Sequence, residues 1–308
     1  MKTILVTPIE ERHKQLIRDL DITVIDRNNF KEEEVLDAEV VLGNFPLTTL
    51  NKMKNLKWVQ LDFAGVGEHL KLDENIVLTN CSGAFGEAIA EHMLAYTLAI
   101  QKRLFGYLDN QKENEYKLLE PVSTISELKV FCVGTGNIGT EFAKRLKTLG
   151  AKVYGVNRTG KQNDLFEKIV VVDEIDTLLP EMDVIAISLP QTDKTYHLFD
   201  KNRLSKCKKG SILLNTGRGS VIDTKALIDL QKEKHFLGVA LDVFEEEPLP
   251  KDSPLWKLNN VYITPHISGK LNNAKKTHDL VIELMLDNYR RYLKNEPLKH
   301  LVNRKEGY

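Results

Sequence analysis

Cysteine is scarce, and no apolar run is long. Cys81, Cys132 and Cys207 are the only cysteines among 308 residues. Three thiols cannot all pair, and their spacing fits no metal motif. A disulfide framework is therefore excluded, and a reducing, cytoplasmic setting is the simplest reading. No stretch approaches the roughly 20 apolar residues of a membrane span. The apolar start at residues 3–6 is stopped by Pro8, Glu10 and Glu11, too soon for the core of a signal peptide. Neither charge is in surplus: 43 Lys and Arg face 44 Asp and Glu, a net charge of −1. A nucleic-acid binder needs a basic surface to replace phosphate counterions, so that class is disfavoured. Internal repeats, low-complexity tracts and linkers rich in Gly, Ser or Pro are also missing.

What is present is an alternation. Hydrophobic residues make up 42% of the chain and charged residues 28%, ordinary for a globular protein. The length suggests two domains. Short apolar runs at 3–7, 39–43, 57–60, 76–79, 129–133, 152–156, 183–188, 211–215, 237–241 and 261–264 read as strands. Amphipathic stretches such as 139–149 and 224–233 lie between many of them. Alternating strands and helices imply an α/β fold of parallel sheets covered by helices. Two longer helical stretches, 87–103 and 273–294, bracket the middle of the chain. Their placement suggests one domain inserted into another: residues 90–284 inside a discontinuous domain of 1–89 and 285–308. Tyr289 and Tyr292 read as packing residues.

After the strand KVFCV come Gly134, Thr135, Gly136, Asn137, Ile138 and Gly139, and then a helix. In this setting Gly134 permits a tight turn and Gly136 leaves room for a pyrophosphate. Gly139 lets helix and strand pack closely, while the helix N-terminus offers N–H groups to phosphate. The pattern predicts a dinucleotide site. The next strand ends at Asn157, Arg158 and Thr159, where an NAD site usually carries an acid for the ribose hydroxyls. A neutral residue followed by a cation suits a 2′-phosphate instead. NADP(H) is therefore preferred, with NAD(H) possible.

Three further motifs follow strands: NTGRGSVID from 215, ALDVFEEEP from 240 and TPHISG from 264. An Arg, an acid cluster and a His at the carboxyl edge of a sheet suggest acid–base chemistry on an anionic substrate. With GTGNIG, LPQTDKT and SPLW, in this order over nearly the whole chain, they resemble the D-2-hydroxyacid dehydrogenase family. LKWVQLDFAGVGEHL and the NRT loop point to its glyoxylate/hydroxypyruvate reductase type.

The resemblance implies two flavodoxin- or Rossmann-like domains, the inserted one binding NAD(P) and the discontinuous one binding substrate, with the site in the cleft between them. It implies Arg218, Glu247 and His266 as catalytic residues, Glu247 being the acid that directly precedes Pro248. Asp242 would lie near the nicotinamide, and Leu189, Pro190, Thr195 and Thr216 near the cofactor. The main chain of Ala64, Gly65 and Val66 would hold the substrate carboxylate together with Arg218. Gly67 stands where many relatives carry Asp. The implied partners are a small 2-keto or 2-hydroxy acid and a second copy of the chain, with the helix at 87–103, His92 included, near the contact. A membrane, a nucleic acid and a metal are not implied.

The implied reaction reduces a 2-keto acid. A carboxylate beside an imidazole orients it and favours its charged form, which suits a general acid. A planar guanidinium holds a carboxylate and polarises a carbonyl. Among the other histidines, His69, His197, His235, His278 and His300 show no partner in the sequence. Two alternatives remain open. One is an NAD-linked phosphoglycerate dehydrogenase-like enzyme. The other is a nucleotide-sensing co-repressor of the same fold, since fold does not prove turnover.

Overall fold

The structure, a computed structural model, describes residues 1–120, 123–270 and 275–307. The first part of the chain forms β1 (Thr3–Leu5), α1 (Glu11–Ile17), β2 (Thr23–Val24), β3 (Val40–Leu42), α2 (Leu47–Leu50), β4 (Trp58–Gln60) and β5 (Val77–Thr79). Then come α3 (Gly86–Gln101), α4 (Leu104–Lys112), β6 (Lys129–Val133), α5 (Asn137–Thr148), β7 (Lys152–Val156), β8 (Lys168–Val170) and β9 (Val184–Ile187). The last are α6 (Lys201–Lys206), β10 (Ile212–Asn215), α7 (Thr224–Lys232), β11 (Gly238–Leu241), β12 (Val261–Ile263) and α8 (Lys275–Leu293).

These elements form two compact units, Met1–Phe85 joined by the described residues 275–307, and Gly86–Lys270. The divisions fall before each long helix. They lie earlier than the 89/90 and 284/285 divisions expected from the sequence pattern. The reason is that α8 belongs whole to the first unit. Its buried face carries Val281, Ile282, Met285, Leu286 and Tyr289. Asp279 of α8 accepts from Arg12 Nε at 2.6 Å and faces His13 Nε2 at 2.8 Å. His278 Nε2 donates to the Pro8 carbonyl at 2.7 Å, and Asn288 Nδ2 to Gln60 Oε1 at 2.7 Å. A cut at 284 would split one continuous apolar face. The first two residues of the helix expected at 273–294 lie outside the described residues.

In the first unit five parallel strands run in the order β2-β1-β3-β4-β5, the flavodoxin-like arrangement. Ile4, Val41, Val59 and Leu78 are buried on it. Tyr292 stacks on Trp58 with ring centroids 4.9 Å apart, and Tyr289 donates its hydroxyl to the Asp21 carbonyl at 3.0 Å. Both tyrosines pack, as read from the sequence.

The second unit is a seven-stranded parallel sheet, β12-β11-β10-β9-β6-β7-β8. Counted from β6, this is the doubly wound 3-2-1-4-5-6 order with one strand added. Strands β2 and β8, of two and three residues, do not stand out in the sequence, because runs so short carry too little periodicity. The sequence pattern also suggests one helix from 87 through 103. The structure ends α3 at Gln101, and Arg103 takes a left-handed φ of 57° before α4 begins.

All three cysteines are buried. Burial pushes the Cys132 and Cys207 thiols up to about 12 and raises Cys81 as well. Such thiols are inert packing groups. Among the described residues no helix is long and apolar enough to cross a membrane.

Candidate active site

Register sets the site of the second unit. Val170, Val156, Val133, Ile187, Asn215, Leu241 and Ile263 form one continuous row of paired residues at the carboxyl ends of the strands. The chain leaves the sheet just after each. One edge therefore carries Gly134, Asn157, Leu189, Thr216, Asp242 and Thr264, with the residues that follow them. Ligands of open α/β sheets bind along this edge, at the point where strand order reverses. Here that point lies between β6 and β9.

The glycine turn sits there. Gly134 has a φ of +110°, a region that favours glycine. A Cβ on Gly139 would lie 1.9 Å from the Gly134 carbonyl oxygen, so the helix can approach the turn only without one. A Cβ on Gly136 would meet nothing within 4 Å, although Gly136 is the N-cap of α5 and offers no side-chain cap. Open space faces a helix start whose first N–H groups lack intrahelical partners. The residues present fit a dinucleotide pyrophosphate at Gly136, Asn137, Ile138 and Gly139.

After β7 the loop is shaped by Asn157. Its Oδ1 accepts from the N–H groups of Thr159 and Gly160 at 3.0 and 2.7 Å, and its Nδ2 donates to Thr135 Oγ1 at 3.0 Å. Arg158 and Thr159 are exposed beyond it. Thr195 plays a similar part after β9, donating to the Pro190 carbonyl at 2.7 Å and accepting from the Thr192 N–H at 2.8 Å. Leu189 and Pro190 are half-buried. Thr216 is buried and donates to Met93 Sδ at 3.3 Å. The side chains of Asn157, Thr195 and Thr216 are thus engaged within the protein.

Arg218 follows β10 and is half-buried, with Nη1 donating to the Gly217 carbonyl at 2.7 Å. Burial lowers its guanidinium from the usual range, and the Glu247 carboxylate opposes that shift. A Cβ on Gly219 would lie 1.8 Å from the Phe244 carbonyl carbon. Only glycine lets these two strand-end segments touch.

The acid cluster separates cleanly. Glu245 accepts from the Thr224 N–H at 3.0 Å and pairs with His197 Nε2. Glu246 is exposed. Glu247 Oε2 lies 2.7 Å from His266 Nδ1, while its Oε1 accepts the Phe244 N–H at 2.9 Å. His266 stands on a left-handed φ of 51°, uncommon for a residue with a side chain. Its side chain is 50% exposed, so Nε2 remains accessible beyond the paired Nδ1.

Asp242 anchors this segment. Its oxygens accept Thr264 Oγ1 at 2.7 Å, the Ile267 N–H at 2.9 Å, the Ser268 N–H at 3.0 Å and the Ser268 hydroxyl. Its carbonyl accepts the His266 N–H at 2.9 Å. These bonds occupy the carboxylate with the His266 loop; Thr264 and Ser268 stand in the TPHISG motif, but their bonds to Asp242 are visible only in the fold.

In the first unit, Ala64 and Gly65 are half-buried and Val66 is buried. The Ala64 carbonyl accepts Asn80 Nδ2 at 2.8 Å. Beside this loop opens a cavity of about 550 Å³ lined by Arg27, Asn28, Asn44, Phe63, Val66 and Gly67. Gly67 has a φ of +53° and open space where a Cβ would be. Asp62 is buried next to the loop, and burial raises its carboxyl against a 3.0 Å bond from Thr7 and Arg27 at 3.8 Å.

Several histidines read as unpartnered do have partners. His197 pairs with Glu245, His278 with Glu10 and the Pro8 carbonyl, and His235 Nε2 with the Cys207 carbonyl. His69 lies 3.2 and 3.1 Å from the Val66 and Phe45 carbonyls. These contacts are distant in sequence or lie within loops, where no periodicity marks them.

Comparison with known proteins agrees with the fold of both units. Residues 94–268 match the family model described as D-isomer specific 2-hydroxyacid dehydrogenase, NAD binding domain. A glyoxylate reductase of Thermofilum pendens is 33% identical, over 96% of this chain and 85% of that protein. A D-isomer specific 2-hydroxyacid dehydrogenase family protein from Aeromonas salmonicida superposes with a TM-score of 0.88 at 30% identity, covering 98% and 99% of the two chains. One from Xanthobacter autotrophicus Py2, solved with NADPH and MES, superposes with a TM-score of 0.84 at 26% identity, covering 100% and 99%.

Proposed function

The chain belongs to the D-isomer specific 2-hydroxyacid dehydrogenase family and is an oxidoreductase, and we propose that it reduces small 2-keto acids of the glyoxylate and hydroxypyruvate kind to D-2-hydroxy acids, with NADP(H) preferred over NAD(H). The observation that carries this reading is the 2.7 Å pair of His266 Nδ1 and Glu247 Oε2, on the same sheet edge as Arg218. The glyoxylate reductase relative supports the substrate class. The NADPH-bound relative, and a cofactor loop with Arg158 where an acid would repel a 2′-phosphate, support the cofactor choice.

When bound, a nicotinamide dinucleotide would provide the hydride that C2 requires. The N–H groups at the start of α5 would hold its pyrophosphate, and the segment Asn157, Arg158 and Thr159 would meet its ribose. Leu189, Pro190, Thr195, Thr216 and Asp242 frame the rest of that edge. In the first unit, the main-chain N–H groups of Ala64, Gly65 and Val66 are proposed to bind a carboxylate. Arg218, kept cationic and partly desolvated, aims fixed donors at the carboxylate and the keto oxygen. Glu247 takes the Nδ1 proton of His266 in a hydrogen bond, which leaves Nε2 to deliver a proton to the keto oxygen. In the reverse direction Nε2 receives it. Hydride and proton together convert C=O to CH–OH.

The same proposal includes a homodimer. Leu104, Leu108, Tyr116 and Leu118 are exposed along one short stretch and would be covered by a second copy. The three buried thiols suit a reducing, cytoplasmic setting. The deciding experiment is a steady-state panel of glyoxylate, hydroxypyruvate, pyruvate and longer keto acids with NADPH and with NADH. Turnover of the short acids, faster at low NADPH than at low NADH, is expected. No oxidation of either cofactor across the panel would sink the reductase reading. A monomer at micromolar concentration in sedimentation would remove the dimer.

A further inference from the structure

We propose that His92, on α3, is a positioning residue for the proton donor, acting through Thr264 and Asp242 on the segment that carries His266. The inference rests on the reductase reading above and adds a residue to it. Thr264 Oγ1 lies 2.7 Å from Asp242 Oδ1 and 3.2 Å from His92 Nε2. A hydroxyl has one proton, and a carboxylate can only accept. Thr264 therefore donates to Asp242, and its oxygen accepts from His92 Nε2–H. The chain has one direction: imidazole to hydroxyl to carboxylate.

Asp242 spends its remaining acceptor positions on the Ile267 and Ser268 N–H groups and the Ser268 hydroxyl. Those bonds flank His266, whose own N–H bonds the Asp242 carbonyl. They hold it at a φ of 51°, a conformation that persists only where its surroundings fix it. His92 is fixed in turn by its place on α3 and by an edge contact with Tyr96, ring centroids 5.1 Å apart. It is half-buried, and burial lowers its titration below the ordinary histidine range against the pull of Asp242. A neutral Nε2–H donor is the form the geometry calls for. A ring that merely filled space would be replaceable by any side chain of its size. A donor at Nε2 is replaceable only by another donor at that reach.

The test compares His92→Leu, His92→Gln, Thr264→Val and the His92→Leu/Thr264→Val double variant with the wild type. Turnover and KM for glyoxylate with NADPH, NADPH affinity by fluorescence, and amide exchange at Ile267 and Ser268 are measured. His92→Leu should lower kcat about tenfold or more, the scale of a small misplacement of a catalytic group, with NADPH affinity within about twofold. His92→Gln, whose amide reaches the same oxygen, should restore most of it. The double variant should be no worse than Thr264→Val, because both changes cut one chain. Full turnover in His92→Leu, equal loss in Leu and Gln variants, or multiplying losses would overturn the proposal. A wild type that reduces no keto acid would refute the reductase reading alone. Exchange at Ile267 and Ser268 then decides: faster in His92→Leu but not in His92→Gln upholds the positioning chain, and unchanged exchange overturns it.

Discussion

Glu247 divides its two oxygens between His266 and its own loop. Oε2 holds His266 Nδ1 at 2.7 Å, and Oε1 takes the Phe244 N–H at 2.9 Å. The carboxylate cannot swing away without giving up a main-chain bond. It therefore serves as a fixed support for the imidazole. His266→Ala should reduce kcat by about 10² to 10⁴, the range for general acid–base groups, with NADPH affinity retained. Glu247→Gln should fall between that variant and wild type. Wild-type turnover in His266→Ala would remove the proton donor from this site.

Two glycines of one turn should behave oppositely. Gly136→Ala places its methyl in open space, so the fold should keep its melting temperature. The methyl would occupy the room left for a pyrophosphate, and NADPH affinity should drop at least tenfold. Gly139→Ala would put its methyl 1.9 Å from the Gly134 oxygen. That overpacking should cost about 1–3 kcal/mol of stability. Thermal melts and fluorescence titration of both variants separate the two roles. Equal melting losses would mean the space at Gly136 is closed in solution.

Arg158 tests cofactor choice. Arg158→Ala should raise the NADPH KM by roughly tenfold or more, the worth of a charge-assisted hydrogen bond. The NADH value should change by less than about twofold, because NADH has no 2′-phosphate to lose a partner. Parallel changes in both would refute the assignment.

Asp62 makes stability depend on pH. Burial raises its carboxyl above the ordinary value, with Thr7 and Arg27 opposing. The folded state then holds a proton that the unfolded chain has already released. The associated stability is present at low pH and is lost as pH rises through the raised folded value. Asp62→Asn keeps an acceptor for Thr7 without the buried charge. It should raise the melting temperature at pH 7, with a smaller gain near pH 4. A gain that grows toward pH 4 would contradict the sign.

The acid run Glu245, Glu246, Glu247 shows how far the residues spoke for themselves. Their types announced acid–base chemistry, and the family pattern singled out the one before Pro248. The division of labour came from packing: Glu245 closes on His197 and the Thr224 N–H, while Glu247 reaches His266. His197 lies 48 residues before its partner, and no spacing links them. The bonding of the Asp242 cluster was hidden in the same way: Thr264 and Ser268 belong to the TPHISG motif, but nothing in their spacing shows that they wrap around one carboxylate.

The alternation of strands and helices and the glycine turn were legible in the residues alone, and the family resemblance nominated Arg218, Glu247 and His266. These depend on local periodicity, on positions where a side chain is forbidden, and on chemistry that only certain residue types can perform. Tertiary structure decided the rest. It set the division points ahead of α3 and α8, because α8 buries one unbroken face in the first unit. It aligned the strand ends in one row and tied His92 to the His266 segment through Thr264 and Asp242. Those relations join residues up to 172 positions apart, and hydrogen bonds over such separations form only when the sheet register brings the loops together.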